Sequence, residues 1–396
     1  MKIIIDFRKF DSVIGGVERG VIEISRHLGH AGHEIVLLPK ASRVQEVEVL
    51  LAGVPNLTLT PLNVRSHVMS LGNAWIDGTW IQDIAARAGA DVVYFPYNWS
   101  FPFRKRAPCL LTVHDVIPLT FREAMGPFRN RLLYRPGMRL ACRLNDTVVT
   151  VSQFSKEDMS RRLGVPADKI HVIPNGIRAS TRRQPRVEAE LTRTLGLERG
   201  FVLSVGGIHE RKNVPRLIAA FARLVRSSGF PGSLVITGRV SGAPYQERMR
   251  EVCREAVKRT GLEGRVVFAG FVSDEELDAL LRLALCLVYP SLYEGFGLPV
   301  LEAMNAGTLV LTSTTTALPE VAGGAALLVD PRDEDAIAAG MDNLVKNNQM
   351  RTELARKGRR WAASFTWGRT AEAYLSLFRE LSDKAATTRP QSRRDS

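Results

Sequence analysis

Two series of short apolar segments, separated by a charged stretch, constrain the fold of this chain most strongly. Segments rich in Val, Ile and Leu alternate with segments of helical periodicity, which is typical of a mainly parallel sheet covered by helices. The first series comprises Lys2–Asp6, Glu34–Leu38, Asp91–Phe95, Cys109–Val113, Thr147–Val151 and Lys169–Ile173. The second comprises Phe201–Val205, Leu234–Thr237, Val266–Ala269, Ala284–Tyr289, Thr308–Thr312 and Ala326–Val329. The sequence therefore predicts two α/β domains, each with its own sheet.

The boundaries follow from changes in composition along the 396 residues. After the strong turn signal Asn175-Gly176, apolar periodicity is lost, and residues 177–199 are expected to form an irregular linker. This places an N-terminal domain at 1–176 and a second domain at 200–364. Residues 365–382 have the pattern of an amphipathic helix, and residues 383–396 are polar and basic, which favours a disordered tail.

Bulk composition indicates a globular protein with an anionic partner. Hydrophobic residues make up 45% of the chain, and the net charge is +13. The four cysteines are scattered and fit reduced thiols of a cytoplasmic protein. The apolar start is too short for a signal peptide, and no apolar run is long enough to span a membrane. His27, His30 and His33 straddle a glycine turn without a carboxylate or thiol to complete a site, so no metal site is predicted.

Part of the positive charge lies on one predicted helix. Arg131, Arg135, Arg139 and Arg143 recur at four-residue spacing and would share one face, although Pro136 could kink or split the helix. Two interpretations stay open: a solvated helix face, or a patch that meets a membrane surface or the acceptor. A nucleic-acid-binding protein is an alternative of another class, but no known binding module is recognisable.

The segment Ser291–Gly307, SLYEGFGLPVLEAMNAG, carries the clearest chemistry. It is predicted to be a strand end, a glycine loop and a helix that opens at Pro299. Backbone amides beside the glycines and at the helix N-terminus would suit a phosphate, and Glu294 and Glu302 would suit hydroxyl groups. Amides for a phosphate next to carboxylates for hydroxyls indicate a site for a nucleotide-linked sugar.

The EGFGLPVLEAMNAG segment resembles the signature of retaining glycosyltransferases of family 4. The resemblance implies a GT-B type α/β fold: two facing Rossmann-like domains with a cleft between them and a C-terminal helix that crosses back to the first domain. It also implies that Glu294 is catalytic and faces the donor sugar, and that Glu302 binds the ribose. The loop residues Phe296, Gly297 and Leu298 are implied to border the donor.

Other segments extend this resemblance. The pair Arg211-Lys212, in VGGIHERKN, matches the family's phosphate clamp, although the glycine pair before it departs from the usual pattern. Two fixed cations would stabilise the charge that builds up on a departing nucleotide diphosphate. The Gly15–Gly16 pair corresponds to the loop that lets the first helix approach the donor phosphates. Asp274 matches a position that can contact guanine, although simple helix capping also explains an acid there.

His114-Asp115 closes a predicted strand in LLTVHDVIPL. This form resembles bacterial mannosyl- and rhamnosyltransferases of the family, in which the histidine approaches the donor sugar and the acid helps to shape the site. The resemblance therefore implies a hexosyltransferase of cell-surface polysaccharide biosynthesis. Its first-choice donor is GDP-mannose, with a UDP-sugar as the alternative, and its acceptor is a saccharide or a lipid-linked saccharide. Because no pair of acids on a loop is arranged to hold Mg²⁺ and the Arg211-Lys212 pair can take its place, we predict a metal-independent reaction. No further cofactor is expected, and a peripheral position at the inner face of the membrane would suit such an acceptor.

Overall fold

The computed structural model describes residues 1–64, 71–121, 128–180, 183–238 and 242–388. The chain divides into two compact units. The first unit comprises Met1–Gly176 together with Thr366–Ser396, and the second comprises Ile177–Phe365. Each unit has a parallel sheet with helices around it, as the two series of apolar segments predict.

The first unit contains a seven-stranded parallel sheet in the order β3-β2-β1-β4-β5-β6-β7. Its strands are β1 (Lys2–Phe7), β2 (Glu34–Pro39), β3 (Leu57–Leu59), β4 (Val92–Phe95), β5 (Cys109–Thr112), β6 (Thr147–Thr150) and β7 (Ile170–Val172). The order reverses between β1 and β4, where Ile4 pairs with Val93 on one side and with Val36 of β2 on the other. This reversal is the switch point at which open α/β sheets bind ligands.

In the described part of the first unit, six helices precede residue 176. They are α1 (Gly16–His30), α2 (Val44–Leu50), α3 (Leu71–Trp75), α4 (Ile81–Ala88), α5 (Phe128–Leu144) and α6 (Gln153–Leu163). A π-helical segment, Ile76–Trp80, joins α3 to α4. Pro136 lies inside α5, which nevertheless runs as a single helix.

The second unit contains a six-stranded parallel sheet in the order β10-β9-β8-β11-β12-β13. Its strands are β8 (Phe201–Val205), β9 (Ser233–Thr237), β10 (Val266–Gly270), β11 (Cys286–Tyr289), β12 (Leu309–Ser313) and β13 (Leu327–Val329). Numbered within the unit, this is the Rossmann order 3-2-1-4-5-6. Its switch point lies between β8 and β11.

Outside the undescribed residues 181–182 and 239–241, eight helices belong to the second unit. They are α7 (Pro185–Leu195), α8 (Val214–Ser228), α9 (Pro244–Thr260), α10 (Asp274–Leu283), α11 (Leu298–Ala306), α12 (Leu318–Ala322), α13 (Glu334–Lys346) and α14 (Asn348–Ala362). The helix predicted to open at Pro299 begins one residue earlier, with Gly297 as its N-cap.

One strand and one helix of the described chain depart from the sequence prediction. The first is β3, a three-residue edge strand, which is too short to stand out from a loop. The second is α7, which corrects the prediction of an irregular linker at 177–199. Pro185 opens α7, Gly196 ends it in the left-handed conformation, and Leu191 is buried. The arginines and glutamates of this segment had hidden its amphipathic pattern.

The final helix, α15 (Trp367–Thr388), belongs to the first unit. It packs against α1, and its Phe378 is fully buried beside Tyr94 of β4, with ring centroids 5.7 Å apart. The Tyr374 hydroxyl lies 2.8 Å from Thr112 Oγ1 of β5. The return of the terminal helix to the first domain is thereby confirmed. The tail predicted from 383 is corrected in part, since α15 continues to Thr388, and residues 389–396 lie outside the described part.

Within the described residues, no helix combines the length and the apolar character that a membrane crossing requires.

Replacement of Phe378 by Ala tests the role of α15 in the first unit's core. We expect a loss of about 3–5 kcal/mol in the free energy of unfolding, because a fully buried ring leaves a cavity. The measurement is urea unfolding followed by circular dichroism. The control Val49→Ala, at a side chain that is 78% exposed, should change little. Equal stability of the Phe378→Ala variant and the wild type would contradict the packing described.

Candidate active site

The switch point of the second unit brings together two loops that are distant in sequence. One loop follows β8 and runs from Gly206 to Asn213, and the other follows β11 and runs from Pro290 to Gly297. The Leu292 amide donates to the Arg211 carbonyl at 2.7 Å, so the two loops are joined directly by the backbone. A ligand at this edge would meet side chains from both loops.

The conformation of the first loop aims Lys212 inward. Gly206 has φ of +108°, and a Cβ there would lie 2.9 Å from Lys212 Cε and Nζ, so the glycine makes room for the lysine. Asn213 adopts φ of 61° and donates from Nδ2 to the carbonyls of Pro290, at 3.1 Å, and Pro331, at 2.6 Å. These two bonds fix the end of the loop against the neighbouring strand ends.

Three predicted site residues form one ion cluster. Arg211 Nη1 donates to Glu294 Oε1 at 2.6 Å, and Lys212 Nζ lies 2.8 Å from the same oxygen. Lys212 and Glu294 are each 7% exposed, whereas the Arg211 side chain is 22% exposed. One carboxylate therefore faces two cations, which leaves an excess of one positive charge when Lys212 is protonated.

The electrostatic balance of this cluster is visible in its pKa values. Burial raises the pKa of Glu294, but Lys212 and Arg211 outweigh it, so that the net pKa lies below its usual value. Burial also lowers the pKa of Lys212 to about 8, against the opposing attraction of Glu294. Glu294 is thus ionised at neutral pH, and Lys212 can lose its proton in mildly alkaline solution.

Tyrosine and histidine side chains complete the cluster, and sequence reasoning missed them. Lys212 donates to the Tyr289 hydroxyl, and its ammonium lies 4.3 Å from the centroid of that ring. His209 contacts the Tyr245 hydroxyl through Nδ1 at 3.2 Å. Burial, followed by the charges of Arg211 and Lys212, lowers the pKa of His209 to about 4, so it is neutral at pH 7. Tyr289 ends a predicted strand, but its spacing gave no sign of a contact with Lys212.

The second loop leads into α11, whose N-terminus adjoins the cluster in sequence. Gly297 has φ of +113°, and a Cβ there would lie 2.8 Å from Leu318 Cδ2, so both conformation and space require glycine. Phe296 is buried, with its ring 6.1 Å from that of Phe365, and Leu298 is half-buried. Glu302 is half-buried on α11. Pro299 has no N–H and the Val300 amide donates to the Gly297 carbonyl at 3.0 Å, so a phosphate at this helix end would meet the amides of Gly297 and Leu298.

Asp274 lies at the carboxyl end of β10, two strands from β8. It is the first residue of α10, whose N-cap is Ser273; Ser273 Oγ accepts from the Glu276 amide at 3.2 Å. The Asp274 carboxylate is 53% exposed and lies 4.0 Å from Arg178 Nε. Because Ser273 and Glu276 form the capping box of α10, the Asp274 carboxylate is not needed to cap this helix.

In the first unit, Gly15 and Gly16 stand at the start of α1. Gly15 is the N-cap, and its amide donates to Glu18 Oε2 at 3.1 Å. Its φ of −90° is accessible to any residue. An added Cβ would lie 3.0 Å from Glu18 Oε2, so a larger residue would push the end of that flexible side chain away.

His114 and Asp115 follow β5 at the same edge of the first sheet. His114 Nε2 lies 3.1 Å from the Pro96 carbonyl, and burial lowers its pKa to about 4. Since a carbonyl only accepts, Nε2 carries the proton and Nδ1 is an acceptor. Asp115 Oδ1 accepts from the Ile117 amide at 3.0 Å, which shapes the following 3₁₀ turn.

A buried ion cluster at the carboxyl end of β1 was also missed. Arg8, directly after β1, donates from Nε and Nη2 to Asp6, at 2.8 Å and 2.7 Å, and from Nη2 to Asp77 of the π-helical segment. Asp77 Oδ2 accepts from the Phe101 amide at 3.1 Å. The cluster therefore ties the end of β1, from which the Gly15 loop departs, to the π-helical segment. Among the described residues, no group of three His, Cys, Asp or Glu side chains is arranged to hold a metal ion.

Comparisons with known proteins identify the family. The model for glycosyl transferases group 1 matches residues 192–361, and the model for Glycosyltransferase Family 4 matches residues 14–181. O-antigen chain mannosyltransferase B of Escherichia coli is 32% identical over 302 residues, which cover 75% of this chain and 76% of that protein. Serotype-specific mannosyltransferase WbdA of Escherichia coli is 28% identical over 280 residues, which cover 69% of this chain but only 34% of that longer protein.

A solved structure supports the fold over nearly the whole chain. Sucrose-phosphate synthase from Thermosynechococcus elongatus aligns with a TM-score of 0.76 at 21% identity, over 97% of this chain and 99% of that one. This likeness and the two Rossmann-ordered sheets confirm the predicted GT-B fold class. From the matched models and the relative at 32% identity, the chain belongs to glycosyltransferase family 4, the group 1 glycosyl transferases.

Proposed function

We propose that this protein is a retaining mannosyltransferase that moves mannose from GDP-mannose to a saccharide or lipid-linked saccharide acceptor. The observation that carries the proposal is the buried cluster of Arg211, Lys212 and Glu294 at the switch point of the second unit. Mannose as the transferred sugar is supported by the names of the two relatives, both mannosyltransferases. One of them acts on the O-antigen chain, which favours a role in the biosynthesis of lipopolysaccharide or a related cell-surface polysaccharide.

The cation pair would stabilise the leaving group. When the bond between the anomeric carbon and the diphosphate breaks, the electron pair stays on the diphosphate oxygen. Lys212 and Arg211 offer an ammonium and a guanidinium in a largely buried setting, where charge–charge interactions are strong. Because these cations supply the positive charge, we propose that the reaction proceeds without a metal ion.

The carboxylates would bind the sugar and the nucleoside. Glu294 is held by the two cations and stays ionised, so it can orient the hexose hydroxyls and stabilise positive charge that develops at the anomeric carbon. Glu302 would bind the ribose hydroxyls, and Asp274 the guanine. The backbone amides of Gly297 and Leu298 would donate hydrogen bonds to phosphate oxygens.

Residues of the first unit would contribute hydrogen bonds and space. His114 is neutral at pH 7 with its proton on Nε2, so Nδ1 can accept a hydrogen bond from a sugar hydroxyl. Gly15 and Gly16 would let the start of α1 come close to the phosphates. We place the enzyme in the cytoplasm, which suits its four buried free cysteines.

A donor panel tests the assignment. Purified protein is assayed in EDTA for transfer to a mannose-terminated acceptor or for slow donor hydrolysis, with GDP-mannose, GDP-fucose, UDP-glucose and UDP-galactose. We expect turnover of GDP-mannose above the others, because donor base and sugar are both recognised. If turnover is highest with a UDP-sugar, the assignment of GDP-mannose as the donor is wrong. Activity that appears only after addition of Mg²⁺ would overturn the metal-free mechanism.

The same assay isolates Glu294. Glu294→Gln should lower kcat by about 100-fold or more, because a charge near the reacting carbon is lost. The matched control is Glu263→Gln, at an exposed glutamate of the second unit, and it should keep wild-type rates. A thermal melt accompanies each variant. Wild-type turnover in a folded Glu294→Gln variant would rule out the catalytic role.

The pKa of Lys212 predicts the pH dependence of donor use. Lys212 is charged below its pKa of about 8 and neutral above it, and only the charged form attracts the diphosphate. Therefore kcat/KM for the donor, which reports the free enzyme, should fall as pH rises through about 8. In Lys212→Arg the guanidinium stays charged, so the alkaline decline should disappear even though the rate is lower. An unchanged alkaline decline in Lys212→Arg would assign it to another group.

A further inference from the structure

A row of aromatic rings links two helical segments on one face of the first unit. Phe103 packs on the π-helical segment, where a Cβ on Gly78 would lie 3.0 Å from its ring. From Phe103 the ring centroids run to Phe101 at 6.1 Å, on to Trp99 at 5.9 Å, and to Tyr134 of α5 at 5.5 Å. The α3–α4 region and α5 are therefore held side by side over the same face of the sheet.

Large apolar side chains on this layer are exposed to solvent. Trp75 is 64% exposed, Phe103 56% and Leu132 67%. Among the described side chains of this layer, the large apolar ones that are exposed are Trp75, Trp80, Phe103, Leu132, Leu133 and Leu140. On α5, Leu132, Pro136 and Leu140 recur at four-residue spacing and so share one side of the helix.

Basic side chains stand directly beside these apolar ones. On α5, Arg135, Arg139 and Arg143 form the adjacent exposed row. Nε of Arg135 donates to the Arg162 carbonyl at 2.9 Å, and Nε of Arg139 donates to the Leu163 carbonyl at 2.6 Å. Because both acceptors are neutral carbonyl oxygens, these bonds do not neutralise the positive charge of the two arginines. Arg104, Lys105 and Arg106 are exposed directly after Phe103.

The acids near this face compensate little of that charge. The sequences of residues 101–108 and 128–144 contain no Asp or Glu. Asp146, just beyond α5, pairs with Lys105, and Asp83 is exposed one turn after Trp80. Asp77 is buried against Arg8. The face thus combines exposed Trp, Phe and Leu with a strong excess of positive charge.

We propose that this surface, made of Trp75, Trp80, Phe103–Arg106 and the exposed side of α5, docks on an anionic lipid bilayer. We name it the membrane-docking face. Trp is enriched where proteins meet the headgroup region, and helices that lie in that region set Leu and Phe beside Lys and Arg. Anionic headgroups attract the basic residues, while the rings and leucines enter the boundary with the acyl chains.

Three features favour a bilayer over other anionic partners. The apolar and basic side chains lie in parallel rows along α5, which matches a flat interface between polar and apolar phases. A nucleic acid would leave Leu132, Leu133 and Leu140 without a favourable contact. A second copy of the chain would carry the same excess of positive charge and be repelled. Docking would hold the enzyme at the surface that displays a lipid-linked acceptor. This consequence rests on the proposed function, whereas the binding to vesicles does not depend on it.

Cosedimentation of the full chain with vesicles tests the proposal. The vesicles are phosphatidylcholine alone or phosphatidylcholine with phosphatidylglycerol, at low and high salt. We expect binding to the anionic vesicles only, weakened by salt. The triple variant Arg104→Gln, Arg106→Gln and Arg143→Gln should lose roughly a hundredfold in affinity, at about fivefold for each basic residue near the surface. The variant Phe103→Ser with Leu140→Ser should also bind more weakly.

Matched control variants distinguish an effect of the membrane-docking face from a general effect of lost charge or lost apolar surface. Arg193→Gln, Arg199→Gln and Arg259→Gln remove the same charge from exposed positions of the second unit, and Val49→Ser removes an apolar side chain from α2. Both controls should keep wild-type affinity. The proposal is overturned if the wild type does not bind anionic vesicles, or if the controls lose as much affinity as the face variants. It is also overturned if sedimentation velocity shows that Phe103→Ser with Leu140→Ser converts a dimer to a monomer while vesicle binding is unchanged. Vesicle binding by a chain without transferase activity would leave this proposal standing while the proposed function fails.

Discussion

The buried carboxylate of Glu294 between two cations is the interaction on which the second unit's chemistry depends. Taking a carboxylate and an ammonium out of water is costly. The site tolerates it because Glu294 is paired with both Arg211 and Lys212, and Lys212 also donates to the Tyr289 hydroxyl. The cluster also joins the loop after β8 to the loop after β11, at the point where the strand order reverses. A ligand phosphate would therefore meet preorganised positive charge.

Most of the fold could be predicted because buried parallel strands are continuous apolar runs. The strands at the centre of each sheet, such as Phe201–Val205, are flanked by clear helical periodicity. The elements that were missed lie where this signal fades. The edge strand β3 has three residues, and α7 buries only a narrow side under many charges. The end of α15 beyond residue 382 has helix-forming Ala and Lys but a polar composition, so propensity was outweighed by charge.

Local motifs could locate the candidate site, whereas side-chain pairing could not be read from them. Glu294 and the Arg211-Lys212 pair were singled out by their loops after strands, and the structure brings them into direct contact across 83 residues of sequence. The contact of Lys212 with Tyr289, and that of Arg8 with Asp77, join segments that only the folded chain makes adjacent. No sequence spacing encodes such a pairing. The exposed leucines of α5, in contrast, were visible in the sequence beside its arginines.

The central claim is that the Arg211–Lys212 pair receives the diphosphate of the donor, and calorimetric titration with GDP and with guanosine tests it most directly. Guanosine lacks only the phosphates, so the ratio of the two affinities measures the phosphate contribution. In the wild type we predict that GDP binds far more tightly than guanosine. In the double variant Arg211→Met and Lys212→Met this ratio should fall by at least about 100-fold, since charge-assisted phosphate contacts are lost. An unchanged ratio in a folded double variant would contradict the account.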